Sequence, residues 1–77
     1  MSIEYSKQAK KFLAKQSFIV SSRIIRAIET LPKGDVKKLS GRDGYRLRVG
    51  DYRVIFDIYG NVTYIDKIGN RGDIYKS

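Results

Sequence analysis

The stretch that most constrains this chain is residues 44–59, GYRLRVGDYRVIFDIY, in which apolar and charged residues alternate. A period of two is typical of β-strands, because successive side chains point to opposite faces of a sheet. Gly50-Asp51 interrupts the alternation, and glycine at the first central position is typical of a type II′ turn. The stretch therefore predicts a β-hairpin in which Val49 pairs with Tyr52 and Arg48 lies opposite Arg53.

Three arginines share one face of this predicted hairpin, namely Arg46, Arg48 and Arg53. Like charges directly opposite each other destabilise a sheet. A small domain that keeps such a cluster is expected to use it to hold an anion.

The charge of the whole chain supports this interpretation. Sixteen Lys and Arg against eight Asp and Glu give a net charge of +8 and a pI near 9.9. RNA or DNA is the first partner that such a charge suggests, and an acidic protein segment is the second. One alternative is a charged surface that only maintains solubility. The other is contact with an anionic membrane surface, the third possible partner.

Missing residue types exclude several kinds of chemistry. The chain has no Cys and no His, so acid–base steps must use Arg, Lys, Tyr, Asp or Glu, or groups of a partner. Carboxylates are few and scattered, so we expect no metal site and no cofactor. No apolar run is long enough for a membrane span or a signal peptide, which predicts a cytoplasmic protein. We expect one domain, residues 1–77.

The first half of the chain predicts a short strand and two helices. Residues 3–5 are consistent with an N-terminal strand, and Ser6 with the N-cap of a helix that ends near residue 15 or 16. A second helix is predicted over roughly residues 17–31. Phe18 and Ile25 form a second apolar ridge on it, which we expect to pack the helices together; an exposed docking ridge is the alternative.

The second half predicts a three-stranded antiparallel meander. Residues 36–39 lead through a polar loop into the hairpin, and Gly60-Asn61 is a second hairpin turn before a strand over residues 62–68. The fold class is therefore α+β, with both helices on one sheet face and the arginines on the open face. The covered face carries Tyr45, Leu47, Val54, Phe56 and Ile58.

The second turn also fixes a register between the last two strands. A two-residue loop at Gly60-Asn61 pairs Phe56 with Ile65 and Asp57 with Tyr64. The same register places Ile55 against Asp66 and Arg53 against Ile68.

The C-terminal tail leaves the predicted sheet at the end where Arg48 and Arg53 lie. Flanking glycines allow Arg71 to turn back over that surface, and Tyr75 is within reach of it. A solvated Arg71 and a Tyr75 packed on the sheet edge are the alternatives. Guanidinium forks suit phosphate oxygens, and the 2′-OH of RNA is an internal nucleophile. The residues therefore predict a nucleic-acid-binding surface and allow RNA cleavage without a metal.

Two segments carry a family resemblance that extends over nearly the whole chain. KLSGRDGYRLRVGDYRVIFDI followed by GNRGDIY resembles the RelE/ParE superfamily of bacterial toxins from type II toxin–antitoxin modules. The resemblance implies the RelE-like fold and an endoribonuclease, or mRNA interferase, that cuts mRNA in the ribosomal A site. In such enzymes the 2′-OH attacks and a 2′,3′-cyclic phosphate remains.

The same resemblance implies which residues form the catalytic site. Arg46 and Arg48 match the basic residues of the first hairpin strand, and Arg53 matches the arginine that opens the next strand. Arg71 matches the C-terminal arginine, and Tyr75 the late tyrosine. Together they would stabilise the phosphate, transfer protons and stack on a base.

The chain departs from the family pattern at the proton acceptor. Many relatives carry His where Asn70 stands, and the arginines at 46 and 48 stay charged. The identity of the general base is therefore open.

Three functions remain at this point. The first is a ribosome-dependent endoribonuclease toxin neutralised by a cognate antitoxin with acidic groups near the arginines. A ParE-like inhibitor of DNA gyrase and a non-catalytic nucleic-acid-binding relative are the alternatives.

Overall fold

The computed structural model describes residues 2–70 and shows a five-stranded sheet with two helices packed on one face. The strand order is β1-β5-β4-β3-β2, with β1 parallel to β5 and every other pair antiparallel. The predicted α+β class is confirmed. Arg71 and Tyr75 lie outside the described residues. The elements are β1 (Ser2–Tyr5), α1 (Lys7–Ala14), α2 (Phe18–Glu29), β2 (Asp35–Lys38), β3 (Tyr45–Val49), β4 (Tyr52–Tyr59) and β5 (Val62–Asn70).

Serine caps begin both helices. The Ser6 Oγ accepts a hydrogen bond from the Ala9 N–H at 3.1 Å, and the Ser17 Oγ accepts one from the Val20 N–H at 3.2 Å. Each cap satisfies a backbone donor that has no partner within the helix. The predicted cap at Ser6 is confirmed.

The second helix ends two residues before the predicted position. Thr30 is its C-cap, and the Thr30 hydroxyl donates to the Ala27 carbonyl at 2.8 Å. Pro32 is the physical reason, because proline disfavours the helical conformation of the residue before it, here Leu31. Neither helix within residues 2–70 has the length and apolar character that crossing a membrane requires.

The strand β2 is absent from the sequence-based prediction. Asp35–Lys38 pairs antiparallel with β3, so the meander has four strands and not three. Only Val36 is apolar in this segment, and it lies opposite Leu47. One apolar position does not establish alternation, which is why the pattern missed the strand. The charged residues around it are typical of a sheet edge.

The hairpin of β3 and β4 has the predicted register. Arg48 pairs with Arg53, and Val49 with Tyr52. A type II′ turn requires a positive φ at its first central residue, and Gly50 has a φ of +60°. Asp51, the second central residue, does not have a positive φ, which also fits this turn type.

The register of β4 and β5 is confirmed for Phe56 and Asp57 and wrong beyond them. Asp66 is an extra residue in β5, so Ile55 pairs with Lys67 and Arg53 pairs with Gly69. Such a β-bulge reverses the faces of the residues that follow it. The bulge places Ile68 on the helix side of the sheet, where it is fully buried.

The core lies between α2 and the sheet. Ile24 and Ile28 are fully buried against apolar residues of β3, β4 and β5, and Ala9 contributes from α1. The predicted apolar face is confirmed except at Ile58, which is exposed near the end of β4. Phe18 is 84% exposed, so the expectation that it packs the two helices together is wrong.

Candidate nucleic-acid interface

The sheet face that points away from the helices carries two rows of residues across the strands. Residues in register on neighbouring strands share a face and lie side by side. We call this surface the arginine face. One row consists of Asp35, Arg48, Arg53 and Gly69, and the next of Lys37, Arg46, Ile55 and Lys67.

A small polar pocket lies within these two rows. Its volume is about 60 Å³, and its lining residues are Asp35, Lys37, Arg46, Arg48 and Arg53. Four cations and one carboxylate therefore surround a space that suits small anionic groups.

Arg53 is the most buried of these charged side chains, with 7% of its surface exposed. Its Nη1 donates to the carbonyl oxygens of Tyr52 at 3.1 Å and Gly50 at 3.3 Å. Among residues 2–70 no carboxylate pairs with it. Buried charges require partners, and here two backbone carbonyls hold the guanidinium in one orientation beside the pocket.

The turn that supplies these carbonyls needs glycine. A Cβ at Gly50 would lie 3.2 Å from the Nη2 of Arg23, which approaches the turn from α2. The positive φ of Gly50 also disfavours a side chain. The hairpin turn is thus in contact with two arginines, Arg23 of α2 and Arg53 of β4.

Three of the five predicted site residues come together in the structure. Arg46, Arg48 and Arg53 line one pocket, whereas Arg71 and Tyr75 lie outside the described residues. The sequence-based prediction missed Asp35 and Lys37 because it missed β2.

The prediction also missed Lys67, which the bulge brings to the arginine face. One signal of the bulge was present in the sequence. Ile65 and Ile68 are both apolar but three residues apart, so a regular strand cannot place both on one face.

A more acidic region lies beyond the arginines toward the second hairpin turn. The Tyr59 hydroxyl donates to Asp57 at 3.3 Å, and the Asp57 carboxylate is the main cause that raises the pKa of Tyr59. Burial, followed by the charge of Glu29, raises the pKa of Tyr5. Both tyrosines therefore stay protonated at neutral pH and are poor proton acceptors.

Metal ligands do not gather anywhere in the described part of the chain. Within residues 2–70, no group of three or more His, Cys, Asp or Glu could hold a metal ion. Among residues 2–70, the charged groups that line the pocket are four protein cations and the carboxylate of Asp35.

Solved structures with this fold include two toxin–antitoxin complexes. A chain of the archaeal RelE–RelB complex from Pyrococcus horikoshii OT3 is 32% identical, with a TM-score of 0.78 over 94% of this chain and 96% of that chain. For the RelB–RelE antitoxin–toxin complex from Methanococcus jannaschii the identity is 28% and the TM-score 0.77, over 94% of each chain. YafQ from E. coli, at 17% identity and a TM-score of 0.67 over 95% of this chain and 96% of its own, shares the fold. A search of curated proteins gave no match.

The fold and these likenesses define a class, the toxins of type II toxin–antitoxin systems. Residues 3–75 match the family described as the ParE toxin of type II toxin–antitoxin system, parDE. The chain therefore belongs to the RelE/ParE superfamily of toxins.

Proposed function

We propose that this toxin is a metal-independent endoribonuclease that cleaves mRNA on the ribosome, and that the arginine face holds the scissile phosphate. The observation that carries the proposal is the pocket, in which Arg46, Arg48 and Arg53 converge. Planar guanidinium groups match phosphate oxygens, and their charge offsets the negative charge that develops on phosphorus. A toxin acting on ribosomes would work in the cytoplasm.

RNA supplies its own nucleophile to such a site. The 2′-oxygen attacks the adjacent phosphorus, and the bond from phosphorus to the 5′-oxygen breaks. The products are a 2′,3′-cyclic phosphate and a 5′-hydroxyl end. Arg71 and Tyr75 belong to the proposal through the family resemblance, as a further phosphate ligand and as a group that stacks on a base or moves a proton.

Mapping of mRNA ends tests this function. The protein is expressed from an inducible promoter, and 5′ ends of translated mRNAs are mapped by primer extension beside an Arg71→Ala variant. We expect new ends within reading frames for the wild type and their loss in the variant. Growth arrest without new ends, unchanged by Arg71→Ala, would contradict the proposal.

A ParE-like inhibitor of DNA gyrase is the second candidate, because the family model that matches is that of ParE toxins. A supercoiling assay with purified gyrase separates the two functions. Inhibition of supercoiling with no new mRNA ends would favour this candidate. Salt-sensitive RNA binding without cleavage or gyrase inhibition would instead indicate a non-catalytic relative.

We also propose a cognate antitoxin as partner. The neighbouring structures at 32% and 28% identity are complexes of RelE with RelB. A net charge of +8 favours a partner whose acidic segment binds on the arginine face. The antitoxin would neutralise the toxin by occupying the pocket that otherwise binds phosphate.

A second surface fits another part of this antitoxin. An open groove of about 520 Å³ runs beside α2, and its apolar residues include Phe18 and Ile19, which are 84% and 77% exposed. We call it the α2 groove. Its apolar floor is formed by Phe18, Ile19, Ala27 and Val49, and its basic rim by Arg23 and Arg26.

The charge of the α2 groove indicates what would occupy it. Among residues 2–70, no acidic residue lines the groove, and its rim carries Arg23 and Arg26. Glu29, the acidic residue of α2, is near Tyr5, whose pKa its charge raises. Two copies of this chain docked groove to groove would bring like charges together. An amphipathic antitoxin helix with an apolar stripe flanked by Asp or Glu matches both the floor and the rim.

Groove variants should weaken antitoxin binding and spare cleavage. We expect Phe18→Ser combined with Ile19→Ser to raise the Kd by about tenfold or more, because exposed apolar anchors dominate such interfaces. Ile58→Ser is the control, since Ile58 is also exposed but lies near the end of β4 and does not line the α2 groove. Calorimetric titration with the antitoxin measures the effect. Equal affinity of both variants would contradict this docking site.

Lys37 and Lys67 should act as phosphate contacts of the arginine face. We expect Lys37→Ala and Lys67→Ala each to weaken RNA binding at all sequences. Each should also lower the slope of log K against log salt by about 0.7, the value for one phosphate of a single strand. Lys10→Ala is the control, because Lys10 is exposed on α1. Filter binding over a salt series measures the slopes; an unchanged slope would place that lysine outside the RNA path.

A further inference from the structure

We propose that Asp35 accepts the proton of the attacking 2′-hydroxyl, an inference that rests on the RNA cleavage proposed above. Asp35 is the first residue of β2, and it lines the polar pocket beside Arg48 and Arg53. It supplies the carboxylate of that pocket. Within residues 2–70, no Lys or Arg nitrogen lies within 4 Å of it, so no ion pair occupies its oxygens.

The other charged groups that face Asp35 are poor proton acceptors. Among residues 2–70, they are Lys37 on the same strand, Arg46 and Arg48 on β3, and Arg53 on β4. Guanidinium groups do not deprotonate in proteins, and a charged lysine has no free lone pair. Among residues 2–70, Asp35 supplies the pocket's carboxylate, whose oxygens carry lone pairs that can accept a proton.

The order of residues across the sheet suits an in-line displacement. Asp35 lies opposite Arg48, Arg48 opposite Arg53, and Arg53 opposite Gly69. Neighbouring strands are about 4.8 Å apart. A phosphate bound between Arg48 and Arg53 would have Asp35 on its nucleophile side. Gly69, which has no side chain, leaves room for the departing 5′-oxygen on the other side.

The proposed step balances in atoms and charge. The 2′-O–H proton passes to the Asp35 carboxylate as the 2′-oxygen forms its bond to phosphorus. The bond from phosphorus to the 5′-oxygen breaks, and that oxygen takes a proton from water. Asp35 then returns its proton to solvent, which restores the carboxylate.

A merely electrostatic role of Asp35 predicts the opposite result. If the carboxylate only relieves repulsion between the arginines, its removal makes the pocket more positive. RNA would then bind more tightly and be cleaved at least as fast. If Asp35 is the base, its removal leaves binding unchanged or tighter while cleavage is lost.

Single-turnover cleavage on translating ribosomes, with affinity for those ribosomes measured separately, decides between them. We expect Asp35→Asn to slow cleavage by about 100-fold or more without weakening affinity, and Asp35→Glu to recover much of the rate. Asp43→Asn, which removes the same charge from the exposed loop before β3, should retain the wild-type rate.

Each other outcome overturns the inference in a recognisable way. If the Asp35→Asn variant cleaves at close to the wild-type rate, Asp35 is not the proton acceptor, and the proposed ribonuclease function is unaffected. Loss of affinity or of thermal stability in Asp35→Asn assigns the residue a binding or structural role. A wild type that yields no cleavage refutes the ribonuclease proposal and this inference with it.

Discussion

Replacing Arg53 by alanine is expected to lower mRNA cleavage by about 10²–10³-fold, the usual effect of removing a preorganised group that stabilises developing charge. The buried guanidinium is oriented by the carbonyls of Gly50 and Tyr52, so under the proposed function it would meet the phosphate without a reorganisation cost. We expect a smaller effect of Arg53→Ala on the stability of the fold than on cleavage. The substitution also removes the unfavourable pairing of Arg53 with Arg48 across the sheet.

Two further variants make this experiment specific. Arg53→Lys keeps the charge, but one ammonium cannot bind two carbonyls and present a planar fork to the phosphate, so activity should remain low. Arg42→Ala removes a cation from an exposed ion pair with Asp66 at 3.7 Å and should retain activity. Primer extension reports cleavage, and thermal denaturation reports folding. An Arg53→Ala variant that produced wild-type levels of new 5′ ends would exclude Arg53 from the site.

The predictions that the structure confirms come from patterns that are local in sequence. Two glycine turns, Gly50-Asp51 and Gly60-Asn61, fix how the flanking strands align, because a two-residue turn allows one register. The register that the Gly50-Asp51 turn sets places Arg48 opposite Arg53, and this pair lies at the centre of the candidate site. The serine cap at Ser6, which the sequence predicted, is an equally local signal.

The features that the sequence did not predict depend on contacts distant in sequence. β2 is a strand because Val36 fits beside Leu47, and no local pattern in Asp-Val-Lys-Lys requires that. The bulge at Asp66 exists because Ile68 gains full burial in the core. These two elements supply Asp35, Lys37 and Lys67. Half of the charged arginine face is therefore a product of tertiary packing.

The exposure of Phe18 has the same origin. Helical periodicity identified the ridge, but periodicity cannot tell whether a neighbouring element covers it. In the structure α2 buries Ile24 and Ile28 against the sheet and leaves Phe18 at the groove.

Three long-range hydrogen bonds anchor the part of β5 that lies beside Arg53. β1 ends at Tyr5, opposite Ile65, so within the described residues 2–70 the outer edge of β5 has no strand partner after the bulge. Side chains at the start of α1 take over this pairing. The Ser6 hydroxyl donates to the Asp66 carbonyl at 2.6 Å, and the Gln8 amide both donates to and accepts from the Ile68 backbone at 2.9 Å.

Replacing Gln8 by alanine should therefore cost about 3 kcal/mol, because two backbone groups of a buried residue lose their partner and each costs about 1–3 kcal/mol. A domain of this size has roughly 4–12 kcal/mol in total, and the melting temperature should fall by about 15 °C. Gln8→Glu keeps the acceptor for the Ile68 N–H but sets an oxygen against the Ile68 carbonyl, so it should also destabilise. Lys11→Ala, at an exposed position of the same helix, is the control for helix propensity. If urea denaturation gave Gln8→Ala and Lys11→Ala the same free energy of unfolding, the amide would not be what holds this edge of the sheet.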